Sequence, residues 1–210
     1  MSVRLTLVCH AATAAVRAAT FPLDEPLDAN GLARASALAG SLRGVDAAWA
    51  SPSLRTRETA AALGVAATPD PALRDLALGA WAGRSLASLA ASEPEAVARW
   101  TGDPGAAPHG GESVMELLAR VRAWLATVVA LEGRIVAVTH PAVIRAAIVG
   151  VLDAEPRSFW RIDVAPLCGA KLQGRGGRWT LRSLGPLPPP PAPPRLRERP
   201  VVPTALERDR

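Results

Sequence analysis

The stretch RLTLVCHAAT, residues 4–13, reads as a buried β-strand that runs directly into a histidine. Residues 3–8 contain no glycine or proline and a single charge, which is typical of a strand buried on both faces of a sheet. Small residues then replace the apolar pattern, so the strand should end at Cys9 or His10. Ligands bind at the carboxyl ends of strands in open α/β sheets, and a neutral histidine ring placed there can attack an electrophile. The alternative is a histidine that merely caps its strand.

Strand and helix patterns alternate along the rest of the chain. Residues 45–50 and 134–139 read as further buried strands, and the second of these also runs into a histidine, His140. The remaining predicted strands lie near 65–68, 162–167, 170–173 and 178–183. The predicted helices cover 31–43 with Asn30 as the cap, 52–63, 85–100 with a break at Pro94, 113–131 and 141–152. This order predicts a three-layer α/β/α sandwich with a mostly parallel central sheet and room for an antiparallel addition at its end.

Length and composition indicate one sizeable domain with an appendage. The chain has 210 residues, of which 49% are hydrophobic, and this is enough for a proper core. We place the domain at residues 1–184. Residues 185–210 are rich in proline and arginine, and we expect a disordered tail there. A proline-rich ligand for a binding domain is the alternative reading of this tail.

The charge pattern argues against several partner classes. The net charge is +5, but the arginines are spread along the chain and interleaved with acids, so we expect no nucleic-acid partner. No stretch is long and apolar enough for a membrane span, and the first residues lack the pattern of a signal peptide. Two cysteines cannot form a disulfide framework. We therefore expect a cytoplasmic protein that does not bind membranes.

Four side chains stand where an α/β fold gathers its active site. His10 and His140 follow strands, Arg55 lies near the start of a helix, and Glu112 follows a Gly-Gly loop at the start of another. Phosphoryl transfer needs a nucleophile, positive charge on the phosphoryl oxygens and an acid for the leaving group. Arginine offers a planar, bidentate fork for phosphate. These four residue types suit that reaction.

Several short segments occur in a recognisable order along residues 3–184. They are LVCHAAT (7–13), the stretch 27–39, SPSLRTRETA (51–60), LRDL (73–76) followed by GAWAG (79–83), GGES (110–113) and VTHPAVIR (138–145). In this order they resemble the motifs of the histidine phosphatase superfamily, also called the phosphoglycerate mutase-like family. The resemblance implies the phosphoglycerate mutase-like fold and a phosphatase activity.

The resemblance also implies a mechanism. His10 would attack phosphorus and form a phosphohistidine, while Arg55 and His140 would hold the phosphoryl oxygens. Glu112 would protonate the leaving group and then activate the water that hydrolyses the intermediate. No metal and no cofactor are required, since arginine and histidine supply the charge. The expected substrate is a small-molecule phosphomonoester of unspecified kind.

One departure from the family's pattern bears on activity. Cys9 stands where the family has an arginine before the nucleophile, and Ala11 replaces the following glycine. Removing one preorganised donor of this kind costs about 2.7–4 kcal/mol. Arg17, Arg84 and Arg145 are the candidates to replace it. Activity should be weak or specialised, and the alternative is a degenerate relative that binds a phosphorylated ligand or a protein partner without turnover.

Other readings of the sequence are less favoured. A mutase that moves phosphate within a sugar acid is disfavoured by the short loops and small domain. A zinc site of Cys9, His10 and His140 lacks the usual ligand spacing. A buried Cys9 is favoured over a reactive thiol. We expect His109, in a loop beside Glu112, to be solvated.

Overall fold

A computed structural model describes residues 2–191 and contains one six-stranded mixed sheet. The strands are β1 (Ser2–Cys9), β2 (Ala47–Ala50), β3 (Thr68–Pro69), β4 (Gly133–Thr139), β5 (Cys168–Arg175) and β6 (Arg178–Pro186). Their order in the sheet is β3-β2-β4-β1-β5-β6. The first four strands in this order are mutually parallel, whereas β5 and β6 are added antiparallel at one edge. The predicted mostly parallel sheet with an antiparallel addition is confirmed.

Seven α-helices connect and flank the strands within residues 2–191. They are α1 (Ala14–Arg17), α2 (Ala29–Ser36), α3 (Leu54–Ala62), α4 (Leu86–Ser92), α5 (Pro94–Gly102), α6 (Val114–Val128) and α7 (Pro141–Val151). Particular residues determine where two of these helices begin. Pro141 occupies the first turn of α7, where its missing N–H costs nothing. Ser113 and Glu116 form a reciprocal capping box at the start of α6.

The two faces of the sheet are covered by different helices. On one face Val3, Leu5 and Leu7 pack in a core that includes the apolar sides of α6 and α7. On the other face Val8 and Val138 pack in a second core against α3. Alternate residues of β1 therefore serve opposite cores, as the period of a strand requires. This arrangement is the predicted α/β/α sandwich.

Three local predictions differ from the structure. Asp28, and not Asn30, caps α2, because its carboxylate accepts from the Gly31 N–H at 2.7 Å. Residues 162–167 form no strand; they follow a 3-10 helix at Pro156–Arg161 and end at Leu167 with a positive φ of 62°. The tail was predicted to begin at residue 185, but β6 runs to Pro186 and Leu187 is buried. Residues 192–210 of the predicted tail lie outside the described part of the chain.

Within residues 2–191, the helices are all too short or too polar to cross a membrane.

Candidate active site

The two strand-end histidines lie side by side at the carboxyl edge of the sheet. β1 and β4 are parallel neighbours with Cys9 paired to Thr139, so the residues that follow them must meet. The ring centroids of His10 and His140 are 5.3 Å apart at an angle of 65°, and the His10 N–H donates to the Thr139 carbonyl at 2.9 Å. Both rings are almost completely buried. The predicted convergence of these residues is thus present in the structure.

The tautomer of His10 follows from its hydrogen bond. Nδ1 lies 2.7 Å from the Ala11 carbonyl oxygen, which can only accept, so Nδ1 carries the proton. Nε2 is then left with its lone pair. Burial lowers the pKa of His10 below its ordinary value, which keeps the ring neutral near pH 7. A neutral ring with a free Nε2 is the form that can act as a nucleophile.

Arg55 is anchored in the first turn of α3 and is 3% exposed. Its Nη1 donates to the Leu23 carbonyl and its Nη2 to Asp75 Oδ2, both at 2.8 Å. Among the described residues no acceptor reaches its Nε. The guanidinium is therefore buried beside the histidines, and two of its nitrogens are engaged.

Asp75 is the functional candidate to which sequence reasoning gave no role. It follows the 3-10 helix Pro71–Leu73, and its Oδ2 lies 2.8 Å from Arg55 Nη2 and 3.3 Å from His140 Nδ1. Burial by itself would raise the pKa of Asp75. The neighbouring His140 and Arg55 outweigh this and hold the pKa below its usual range. The available signal was the aspartate in LRDL (73–76), one of the segments that resemble the family's motifs.

His140 completes this cluster. Its Nε2 lies 2.8 Å from the hydroxyl oxygen of Ser51, the residue that follows β2. Burial lowers the pKa of His140 to about 3, so the ring is neutral at physiological pH. The ends of β1, β2 and β4 thus each contribute to one group of polar side chains.

A cavity of about 190 Å³ opens beside His10. His10, Asp75 and Arg145 are the titratable residues in the wall formed by the described part of the chain. Most of the remaining wall is apolar, with Phe21, Trp100, Phe159 and Trp160 as its aromatic members. The cavity therefore brings a neutral histidine, a carboxylate and a guanidinium together with a largely apolar wall.

The structure does not bring Glu112 to this cavity. The Glu112 carboxylate accepts from Nε and Nη2 of Arg120, at 2.8 and 2.7 Å, and from Arg74 at 3.2 Å. The side chain is 8% exposed and is not among the cavity-lining residues. Both carboxylate oxygens are occupied by arginine, so the geometry gives no support to the predicted acid–base role of Glu112.

The Gly-Gly motif instead docks one loop on another. A Cβ on Gly111 would lie 2.0 Å from the Ala77 carbonyl oxygen, and one on Gly79 would lie 2.1 Å from the His109 carbonyl oxygen. Only glycine allows the two backbones to approach so closely. The Ala80 N–H donates to the His109 carbonyl at 2.9 Å across this contact. The GAWAG and GGES segments thus support each other, and neither glycine lines the cavity.

His109 is buried rather than solvated. It is 2% exposed, and its ring lies 5.2 Å from the Trp81 ring. Nδ1 accepts from the Gly111 N–H at 3.0 Å, and burial lowers the pKa of the ring. The loop docks back onto the core through this side chain, which explains why the expectation of a solvated residue was wrong.

The three candidate replacement arginines have different surroundings. Arg17 pairs with Asp28 at 2.7 Å and is largely exposed, and Arg84 pairs with Glu93. Arg145 lines the cavity and makes no ion pair with the described residues. Its Nε donates to the Ile162 carbonyl at 2.7 Å, and burial lowers its pKa. Arg145 is therefore the candidate that faces the same space as His10.

Cys9 is fully buried in the core. Burial, reinforced by Asp75, raises the pKa of its thiol far above the ordinary value, so the thiol is protonated at neutral pH. A reactive thiolate is thereby disfavoured. The described residues also contain no group of three His, Cys, Asp or Glu side chains arranged to hold a metal ion. The zinc alternative at Cys9, His10 and His140 has no ligand set.

Comparison with known proteins gives a consistent result. A bifunctional protein from Mycobacterium tuberculosis is 33% identical over 141 residues, which cover 63% of this chain and 39% of that protein. Glucosyl-3-phosphoglycerate phosphatase from the same organism is 41% identical over 69 residues, covering 33% of this chain and 31% of that protein. The chain thus spans well under half of the length of these curated relatives.

Solved structures show the same likeness. The structure of a mycobacterial glucosyl-3-phosphoglycerate phosphatase superimposes with a TM-score of 0.79 and 27% identity, over 89% of this chain and all of that one. The family model described as histidine phosphatase superfamily (branch 1) matches residues 5–186. This match covers β2 to β6, most of β1, both strand-end histidines and Arg55. The structural neighbours of this chain include phosphatases, and the chain belongs to the histidine phosphatase superfamily.

Proposed function

We propose that the protein is a metal-independent phosphomonoester hydrolase that acts through a phosphohistidine on His10. The observation that carries this is the fixed tautomer of His10. Its Nδ1–H is held by the Ala11 carbonyl, and its Nε2 lone pair is free in a residue that lines the cavity with Asp75 and Arg145. Nε2 attacks phosphorus, the N–P bond forms, and the ester P–O bond breaks. Water then attacks the phosphohistidine, the N–P bond breaks, and inorganic phosphate leaves.

We assign the proton transfers to Asp75. It donates its proton to the departing alkoxide and takes one back from the water of the second step. In the free protein Arg55 and His140 favour its ionised form. A phosphoryl dianion bound to Arg55 would take over this arginine and add negative charge nearby. Both changes raise the pKa of Asp75, so substrate binding itself loads the acid with its proton.

In this proposal Arg55 and Arg145 supply the positive charge for the phosphoryl oxygens, while the neutral His140 offers a ring nitrogen. We assign phosphate binding to Arg55 and His140, in line with the sequence prediction. Arg55 would exchange the Leu23 carbonyl and the Asp75 carboxylate for phosphoryl oxygens. We assign the charge that Cys9 cannot supply to Arg145, which lines the cavity without a carboxylate partner. Two guanidinium groups then face the transferring group.

A non-catalytic binding protein is the second candidate. The features that favour it are the uncharged Cys9 and the engagement of two Arg55 nitrogens by acceptors of the protein itself. Both features would weaken the binding of a phosphoryl group. In this case a phosphorylated ligand would bind in the cavity and leave unchanged.

The deciding experiment is a denaturing quench at alkaline pH during turnover of a ³²P-labelled phosphomonoester, combined with phosphate-release assays on p-nitrophenyl phosphate and alkyl esters. We expect base-stable, acid-labile label on His10 and its loss in His10→Ala. His109→Gln is the matched control, since His109 is a buried histidine outside the cavity wall. Ligand binding without label and without phosphate release would establish the non-catalytic candidate.

A further inference from the structure

The aromatic part of the cavity wall is a fixed, interlocked group. Trp100 and Trp160 have ring centroids 4.4 Å apart at 65°, and Phe159 meets Trp160 at 4.8 Å and 89°. Phe21 meets Trp100 at 5.6 Å and 87°. These are edge-to-face contacts, which hold each ring in one orientation. The wall is therefore already shaped before any ligand arrives.

This wall offers few polar partners. Apart from His10, Asp75 and Arg145, the lining side chain with a hydroxyl is Thr20, which donates to the Ala15 carbonyl at 3.3 Å. The indole N–H groups of Trp100 and Trp160 are shielded within the protein. A sugar or polyol would lose its hydrogen bonds with water on entering and find few replacements, which is costly for each hydroxyl. The lining thus favours an apolar group.

The size of the cavity further limits the kind of apolar group that would fit. A cavity of about 150 Å³ in another protein accommodates benzene, and the cavity beside His10 measures about 190 Å³. The space suits one aromatic ring or a small fused pair. Arg145 stands with its guanidinium carbon 5.8 Å from the centre of the Phe159 ring, which ties the cation to the aromatic wall.

We propose that the substrates are phosphomonoesters whose alcohol part carries a flat, largely apolar aromatic ring close to the ester oxygen. This inference rests on the proposed function. The phosphoryl group would sit at His10, and the ring would pack among Phe21, Trp100 and Trp160. Specificity would come from this ring, because the aromatic wall has nothing to offer a polar substituent.

The test compares benzyl phosphate with glycerol 3-phosphate. Both release a primary alcohol, so the comparison reports the fit of the organic group rather than leaving-group reactivity. Burying one ring should favour benzyl phosphate about 10- to 100-fold in kcat/KM. Trp160→Ala should reduce this ratio about tenfold, and Trp160→Phe should restore most of it. Trp49→Phe, at a tryptophan outside the cavity wall, is the control and should leave the ratio unchanged.

A binding measurement separates the two proposals. Benzylphosphonate and methylphosphonate cannot be hydrolysed, and their dissociation constants follow from calorimetry. Tighter binding of benzylphosphonate by tenfold or more, lost in Trp160→Ala, supports the aromatic site even if no ester is turned over. Equal kcat/KM values for the two esters overturn it while the hydrolase stands. Equal or absent binding of the two phosphonates also overturns it.

Discussion

Asp75 and Glu112 are two carboxylates held by arginine, yet their surroundings make them chemically different. Asp75 contacts Arg55 and His140, is 22% exposed and lines the cavity. Glu112 is gripped by Arg120 and Arg74 and lies outside the cavity wall. Asp75 itself lines the cavity, so in the proposed function an anionic ligand there would draw Arg55 away from it, although Arg55 and His140 are not part of the wall. Glu112 and both of its arginines lie outside the wall. The comparison shows that a carboxylate's role depends more on the residues it contacts than on its place in a motif. These residues decide whether the carboxylate can exchange protons with a substrate.

Removing the acid should have the largest effect. Asp75→Asn leaves a side chain of the same shape that cannot donate or accept the transferred proton. We expect kcat on an alkyl phosphate to fall about 10²- to 10⁴-fold, and the fall on p-nitrophenyl phosphate to be much smaller, because p-nitrophenolate leaves without a proton. Steady-state kinetics on both esters provides the measurement. Equal losses on both would refute an acid role and leave Asp75 a positioning residue for Arg55.

The second prediction concerns an arginine. Unlike the arginines that hold Asp75 and Glu112, Arg145 has no carboxylate partner among the described residues. Arg145→Gln should lower kcat/KM about 10²- to 10³-fold, as expected for one charged donor to a transition state. Arg17→Gln is the control at an exposed arginine and should change little. Unaltered activity of Arg145→Gln would remove Arg145 from the mechanism.

Glu112→Gln should lower stability and leave activity nearly unchanged, unlike the loss of activity that we expect for Asp75→Asn. The substitution leaves Arg120 buried without a full counter-charge, so the free energy of unfolding should fall by about 2–4 kcal/mol. The folded fraction should retain activity within about threefold. Urea unfolding and kinetics on the same preparation measure the two quantities. A hundredfold loss of activity with unchanged stability would instead establish the acid role first predicted for Glu112.

The smallest effect concerns pH. Burial lowers the pKa of His10, His109 and His140, so the unfolded chain binds more protons than the folded one below about pH 6.5. The free energy of unfolding should therefore decrease as the pH falls, by about 1 kcal/mol or more between pH 7 and 5.5.

Asp75 affects the free energy of unfolding in a different pH range. Its lowered pKa contributes stability above about pH 4 that is lost only at more acidic values. His109→Gln should flatten the slope between pH 7 and 5.5, and Asp75→Asn should leave it nearly unchanged. Urea unfolding at a series of pH values gives both slopes. A stability that does not vary over this range would contradict the burial of neutral histidines.

The parts of the site that sequence could predict are those placed by regular structure. His10 and His140 follow strands, and the pairing of two parallel strands brings their ends together. Asp75 escaped prediction because it lies in an irregular segment, whose path depends on the 3-10 helix before it and on contacts with Arg55. Glu112 was given a role by its motif. Its engagement by Arg120, one residue of the following helix, is set by how the loop docks on Ala77.

Two of the three nitrogens of Arg55 are already engaged in the free protein, which would affect turnover by the proposed hydrolase. The phosphoryl group, which substrate and product share, would have to displace the Leu23 carbonyl and the Asp75 carboxylate, so these two nitrogens should contribute little net binding energy. Inorganic phosphate, which carries no ring for the aromatic wall, gains least from such an exchange. In the proposed hydrolase the Leu23 carbonyl and the Asp75 carboxylate would therefore compete with the product for Arg55. We accordingly expect inorganic phosphate to be a weak inhibitor.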